Sequence, residues 1–275
     1  MTTTDPSLKM EPYRVADETF VIPWHLEAPP VGLFAVNSMV IRGEQPVLVD
    51  TGGPANRDEW LDNVWSLVDP QDVRWIFLSH DDRDHAGNLL QVLAACPNAT
   101  LLTTWFSVGR MAEEWQTPLD RSRFVNEGEQ IDVGDRTLTA MRPPVFDNPT
   151  TRGLFDDRTG VLWAADTFAN PLQEPIESAD DIPDDEFTEG QLFGARLVAP
   201  WHQMLDEQKF HAHVDRVESM AIEVAASCHA PAIAGGRLDR AFELVHSVPT
   251  IDAWDAYTQQ DLEQWLEQMA EAPAE

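Results

Sequence analysis

Short apolar runs alternate with amphipathic stretches along most of the chain. Phe20-Val-Ile22, Leu33 to Arg42 and Pro46 to Asp50 read as strands, with Gly43-Glu-Gln45 as the turn of a hairpin. The spacing of Trp60, Leu61, Val64, Trp65 and Val68 predicts an amphipathic helix over 54–69. A buried strand, Trp75 to Leu78, runs straight into Ser79-His-Asp-Asp-Arg-Asp-His85, and Ala86 to Ala95 reads as a helix. The alternation then repeats. A strand at 100–103 and a helix at 105–115 lead to short strands near Phe124, Ile131, 138–141, 154–155 and 161–163, with Asp156 to Gly160 as a turn. Residues 171–190 are acidic and contain proline, which predicts a mobile excursion. Helical stretches are expected over 193–227 with a break near Glu207, then a strand at 232–234 and helices at 238–246 and 253–269. Strand clusters followed by helices, twice over, predict an α/β fold of two packed sheets with helices outside. Residues 1–17 are expected to be a flexible N-terminus, and 18–275 one domain with halves at about 18–135 and 136–275.

Composition narrows the partners. With 18 Lys+Arg against 48 Asp+Glu the formal charge is −30, and Lys occurs only at Lys9 and Lys209. A surface this anionic repels nucleic acid and anionic membrane, since no basic stripe offsets it. No apolar run is long enough to span a bilayer and the start lacks a signal-peptide pattern, so the expected location is cytoplasmic. Two cysteines, Cys96 and Cys228, cannot form a four-thiolate cluster or a disulfide framework. Cys228 adjoins His229 on the wrong side by one residue and is expected to be a small buried hydrophobe.

The most informative residues are His80, Asp82, Asp84 and His85, crowded behind a buried strand. Polar loops at the carboxyl ends of core strands are where α/β proteins place function. Imidazoles and carboxylates alternating in this way can face two adjacent points, with His80 and Asp82 at one and Asp84 and His85 at the other. A pair of metals needs more donors, and later segment ends offer Asp147, Asp166 and His229. Asp166 follows the apolar run Val161 to Ala165, so its charge needs a counter-charge of the kind two bridged cations supply. The plainer alternatives are a capped turn at 80–85, a buried hydrogen-bonded pair for Asp166 and His229, and a turn initiator for Asp147. His211, His213 and His246 read as structural.

In these residues the chain resembles the metallo-β-lactamase superfamily. The family loop His-x-His-x-Asp-His is matched by His80-x-Asp82-x-Asp84-His85, followed in order by Asp147, Asp166 and His229, and preceded by the Asp-Thr-Gly signature at Asp50-Thr-Gly-Gly53. The resemblance covers roughly residues 18–250 and implies a four-layer αββα sandwich. A carboxylate at the second loop position, together with Asp84-His-Ala-Gly-Asn88 and Asp166-Thr-Phe168, is similar to the flavodiiron and oxygen-binding di-iron branch. That branch carries Glu at the second position and His at the third-ligand position, where this chain has Asp82 and Asp147. The resemblance implies that one metal sees His80, Asp82, Asp147 and a bridging Asp166, and the other Asp84, His85, His229 and the same bridge. It further implies that Asp50 supports the metal loop from behind, and that His25 and His202 lie near the pocket mouth.

Three imidazoles with four carboxylates and no thiolate favour iron or manganese over zinc, with iron first and zinc still possible. The function expected on this basis is a di-iron oxidoreductase that binds or reduces dioxygen or nitric oxide, with Asp84 and Asp166 at the reacting centre. No phosphate-cradling Gly-rich loop follows His229, so the expectation is no flavin within the chain, electrons from an external flavoprotein, and a homodimer. The alternative is a hydrolase of a small ester, thioester, lactone or phosphoester, using a metal-bridging hydroxide with Asp84 orienting it. A metal-poor binding or scaffold protein is the third reading.

Overall fold

The computed structural model describes residues 8–271, so part of the expected tail at 1–17 lies outside the described residues. In chain order the first half contains β1 (Tyr13–Ala16), β2 (Thr19–Ile22), β3 (His25–Ala28), β4 (Gly32–Ala35), β5 (Ser38–Ile41), β6 (Val47–Val49), β7 (Trp75–Phe77), β8 (Thr100–Thr103) and β9 (Ser122–Phe124). Strands β3 and β4 form a separate ribbon, and the other seven make one sheet in the order β1-β2-β5-β6-β7-β8-β9. Its helices are α1 (Arg57–Leu67), α2 (Arg83–Ala86), α3 (Leu89–Ala95) and α4 (Trp105–Met111). The second half adds β10 (Gln130–Asp132), β11 (Thr137–Met141), β12 (Gly153–Asp156), β13 (Val161–Trp163), α5 (Asp184–Val198), α6 (Glu207–Glu218), β14 (Val224–Ser227), β15 (Ala230–Ala234), α7 (Gly235–Ser247) and α8 (Gln259–Glu271). Strands β10 to β15 form the second sheet in sequence order.

Strand periodicity builds the layers. Side chains alternate across a strand, so a strand buried on both faces feeds two cores. Val47 and Val49 of β6, Phe77 of β7 and Leu102 of β8 pack with Leu138, Leu154, Val161, Trp163 and Ala226 of the other sheet. Their neighbours Leu48, Ile76 and Leu101 face the opposite way, onto Trp60 and Val64 of α1 and Leu89 and Val92 of α3. On the second sheet Leu162 and Ala225 face outward onto Phe187 of α5, Phe210 and Val214 of α6 and Phe242 of α7. The result is the expected αββα sandwich. Parallel pairing of β6 to β9, and of β13 with β14, brings several strand carboxyl ends to one rim.

Several elements differ from the sequence reading. The run from Leu33 to Arg42 is two strands, because Asn37 breaks it: its side-chain amide donates to the Ser227 and Ala230 carbonyls at 3.0 and 2.8 Å. Tyr13–Ala16, expected in the tail, pairs with β2 as an edge strand. Residues 224–227, expected to be helical, form β14 between β13 and β15. Burial between two strands overrides the local helix preference of Val-Ala-Ala-Ser there. The acidic stretch 171–190 includes the first turns of α5, where Asp184, Asp185 and Glu186 complement the helix dipole. The last helix begins at Gln259, later than expected.

Cys96 closes α3 and is fully buried in the helix-side core of the first sheet. Burial pushes its thiol from 9.0 up to about 12, against a smaller opposing effect from Arg121. The folded chain therefore resists an ionisation that the unfolded chain undergoes, so this stabilisation is full below about pH 9 and is lost as pH rises toward 12. Cys96→Ala should be less stable than the parent at pH 7 by on the order of 1 kcal/mol. The gap between their chemical-denaturation curves should narrow above pH 9; a constant gap from pH 7 to 11 would contradict this origin.

Candidate metal centre

Asp50 ends β6 as a fully buried carboxylate with a positive φ of 59°. Its Oδ1 accepts the Ser79 backbone N–H at 2.7 Å, while Oδ2 accepts the Ser79 hydroxyl at 2.8 Å, Trp163 Nε1 at 3.0 Å and His85 Nδ1 at 2.8 Å. The adjoining Gly52 has φ 63°, and a Cβ there would strike the Trp60 ring at 2.7 Å, so glycine is required. A capped turn does not account for this arrangement, because its donors converge from β7, α2 and the second sheet.

Three imidazoles are fixed through Nδ1. His85 donates to Asp50, His80 to the Ser79 hydroxyl at 3.1 Å, and His229 to the Ala35 carbonyl at 2.7 Å. That leaves each Nε2 lone pair facing inward. All three converge on Asp166: His80 Nε2 lies 3.3 Å from Oδ2, while His85 and His229 Nε2 lie 2.9 and 3.4 Å from Oδ1. One carboxylate thus divides its two oxygens between two groups of donors.

The other expected ligands fall beside these groups. Asp82 Oδ2 and Asp147 Oδ1 lie 3.7 and 4.0 Å from His80 Nε2, and Asp84 Oδ2 lies 3.3 and 3.8 Å from His229 and His85 Nε2. Two ligands each about 2.1 Å from one metal stand roughly 3–3.5 Å apart at octahedral or tetrahedral angles. Most of these spacings fall near that range. His85 Nε2 and Asp166 Oδ1 are also buried without a hydrogen-bond partner despite their proximity, which a cation would remedy. The residues present fit a dinuclear metal group.

Electrostatics reflect the crowding. Burial raises Asp147, and the neighbouring Asp166 and Asp82 carboxylates raise it further, to about 6, against the lowering effect of His80 and His85. Burial would also raise Asp84 and Asp166, but facing imidazoles hold both well below the usual carboxylate range. Burial opposes protonation of His85 and His229, yet the facing Asp84 and Asp166 carboxylates favour it strongly.

Some residues were not legible. Asn148 donates to Asp82 Oδ1 at 3.0 Å, and Arg110 Nη2 stands 3.5 Å from the same oxygen, which leaves Oδ2 to face His80. Arg110 also pairs with Asp81, and Thr150 donates to Asp81 Oδ1 at 2.9 Å. These contacts span residues far apart in sequence, and no motif spacing signals them. Conversely His25 and His202 are buried but belong to none of the donor clusters among the described residues. His211 and His213 bond backbone carbonyls of His246 and Pro143, as expected of structural histidines. Cys228 departs most from expectation. It is buried, but its sulfur joins Asp84, His85 and His229 in a set of donor atoms all within 4.8 Å of one another.

Asp50→Asn keeps the shape but points an amide N–H at groups that themselves donate. Stability should fall by roughly 2–4 kcal/mol in urea denaturation. Metal content should fall with it, since His85 loses its orienting acceptor; an unchanged midpoint would show that Asp50 does not anchor the loop.

The chain spans 23–48% of the length of the first curated relatives it matches. It is 27% identical over 237 residues to a diflavin flavoprotein A 1 of Nostoc sp., covering 82% of this chain and 39% of that one. It is 25% identical over 171 residues to the anaerobic nitric oxide reductase flavorubredoxin of Salmonella typhi, covering 62% and 36%. Among solved structures, the flavodiiron protein of Giardia intestinalis superposes with a TM-score of 0.76 at 14% identity, covering 88% of this chain and 60% of that one. Rubredoxin oxygen:oxidoreductase of Desulfovibrio gigas gives 0.73 at 19% identity, covering 86% and 61%. No described helix is long and apolar enough to cross a membrane. Residues 34–230, more than half the chain, match the model of the ODP family beta lactamase, and the chain belongs to that family, on the flavodiiron branch of the metallo-β-lactamase superfamily.

Proposed function

We propose that the chain from Tyr13 onward, β1 included, acts as one domain carrying a dinuclear, iron-favouring centre that binds or reduces dioxygen or nitric oxide with electrons from an external flavoprotein. The observation that carries this reading is Asp166, whose two oxygens face two different donor groups. His80, Asp82 and Asp147 would hold one metal and Asp84, His85 and His229 the other, with Asp166 between them. Ferrous iron held by these residues would supply the electrons for reducing such a small ligand.

The chain's own part is to orient and exclude. The Nδ1 partners of His80, His85 and His229 keep every Nε2 lone pair inward, so no imidazole rotates away when its proton leaves. Phe34 packs edge-on to His229, and Trp24 packs against Gly53, which places aromatic rings beside the second donor group. Asp147 is half-exposed and stands at the open side of the centre, 4.0 Å from His80 Nε2. The electron donor we infer is a flavoprotein, on the strength of the flavoprotein relatives, and the working unit is a homodimer.

Purified protein should hold close to two irons per chain, with an optical spectrum that changes on exposure to air. It should consume dioxygen or nitric oxide when a flavoprotein donor is supplied. Asp166→Asn should lower metal content at both positions together, to below one per chain. Full loading of that variant would remove the bridge, and zinc alone with turnover of a simple ester would move the assignment to the hydrolase.

A further inference from the structure

We propose that Cys228 is a ligand of the second metal, beside Asp84, His85 and His229, making the centre chemically asymmetric. This rests on the metal-centre reading and goes beyond its seven ligands.

Strand alternation argued against Cys228, since adjacent residues on a strand face opposite ways. That alternation stops at Ser227. Strand β14 ends there, β15 resumes at Ala230 paired with Ser227, and the register shifts between Ala225 and Ser227. Cys228 and His229 are therefore the two central residues of a tight hairpin turn, and no pleat separates their side chains. The Cys228 N–H donates to the Ala165 carbonyl at 2.8 Å, which ties the turn to the residue before Asp166. The Asn37 N–H donates to the Cys228 carbonyl at 2.8 Å and holds the other face.

The sulfur is thus delivered to a built site. Cys228 is fully buried, and Asp84, His85 and His229 present donor atoms within 4.8 Å of it and of one another. An independent sign is His85 Nε2, which is completely buried, unpartnered and aimed into the same space. Coordination exchanges the thiol proton for the metal and requires no oxidant. The first position, with His80, Asp82, Asp147 and Asp166, offers one nitrogen and carboxylate oxygens. The second, with Asp84, His85, His229, Cys228 and the same Asp166, offers two nitrogens, carboxylate oxygens and a sulfur. Both positions can take Fe(II), and the thiolate raises the affinity of the second for Zn(II) relative to the first.

The test uses full-length metal-free protein loaded with Co(II) alone. The parent should show a near-ultraviolet sulfur-to-cobalt charge-transfer band, and Cys228→Ala and Cys228→Ser should lose it while retaining cobalt d–d absorption and the native circular dichroism. In competition between equimolar Fe(II) and Zn(II), the parent should keep one zinc per chain. Cys228→Ala should weaken that zinc at least as much as the roughly 10–100-fold caused by losing an outer partner of a ligand. Two bound cobalts without the charge-transfer band in the parent would overturn the sulfur ligand and leave the metal centre standing. A band that persists in Cys228→Ala would overturn it as well. Failure of the parent to bind cobalt, zinc or iron would instead remove the metal-centre reading, and this inference with it.

Discussion

The buried carboxylate of Asp50 is the constraint on which the centre depends. A carboxylate taken wholly out of water costs several kcal/mol unless its lone pairs are filled, and here four donors fill them. Two come from Ser79, which fixes where β7 ends and therefore where His80 begins. One is His85, whose ring is thereby oriented. The fourth is Trp163 of the second sheet, so the same charge that positions the metal loop also sets how the two sheets meet. Loop geometry and sheet packing are one problem with one solution.

The opposite wall is held in a comparable way. Asp166 lies between two non-glycine residues of positive φ, Ala165 at 49° and Phe168 at 72°. Such backbone persists only where the surroundings over-determine it. The Ala165 carbonyl accepts from the Ser227 hydroxyl and the Cys228 N–H, and the Phe168 carbonyl accepts from Gln191 of α5 at 2.7 Å. Thr167 exchanges hydrogen bonds with the Val145 backbone, so the segment carrying Asp147 moves with the one carrying Asp166. Donors from both halves of the chain are thereby referred to a common frame.

How much of this could be read in advance follows from range. The two-face burial of Val47-Leu-Val49 or Val161-Leu-Trp163 is a local property, and it was legible together with the loop His80 to His85 and the order of Asp147, Asp166 and His229. Strand β14 was not, because Val-Ala-Ala-Ser becomes a strand only once β13 and β15 flank it. Asn148, Arg110 and Trp163 act across long separations on single oxygens, which no spacing encodes. Cys228 is buried as its setting predicts, but its nearness to Asp84, His85 and His229 turns on where a strand stops, because residues 224–227 are a strand followed by a tight turn and not the expected helix.

Charge then separates the kinds of ligand the centre can admit. Asp82, Asp84, Asp147 and Asp166 share one small space, and Asp147 is driven up to about 6 by burial and by two of those neighbours. Arg110 relieves little of this, since it approaches Asp82 on the oxygen turned away from His80 and is already paired with Asp81. Two divalent cations would about balance the four carboxylates and one thiolate, leaving an inner region near neutrality within a chain of formal charge −30. An anionic phosphoester would approach through that surrounding field at a cost, whereas dioxygen and nitric oxide carry no charge and pay none. On the proposed function, the acidic composition that draws cations to the site is thus also a filter that neutral diatomics pass.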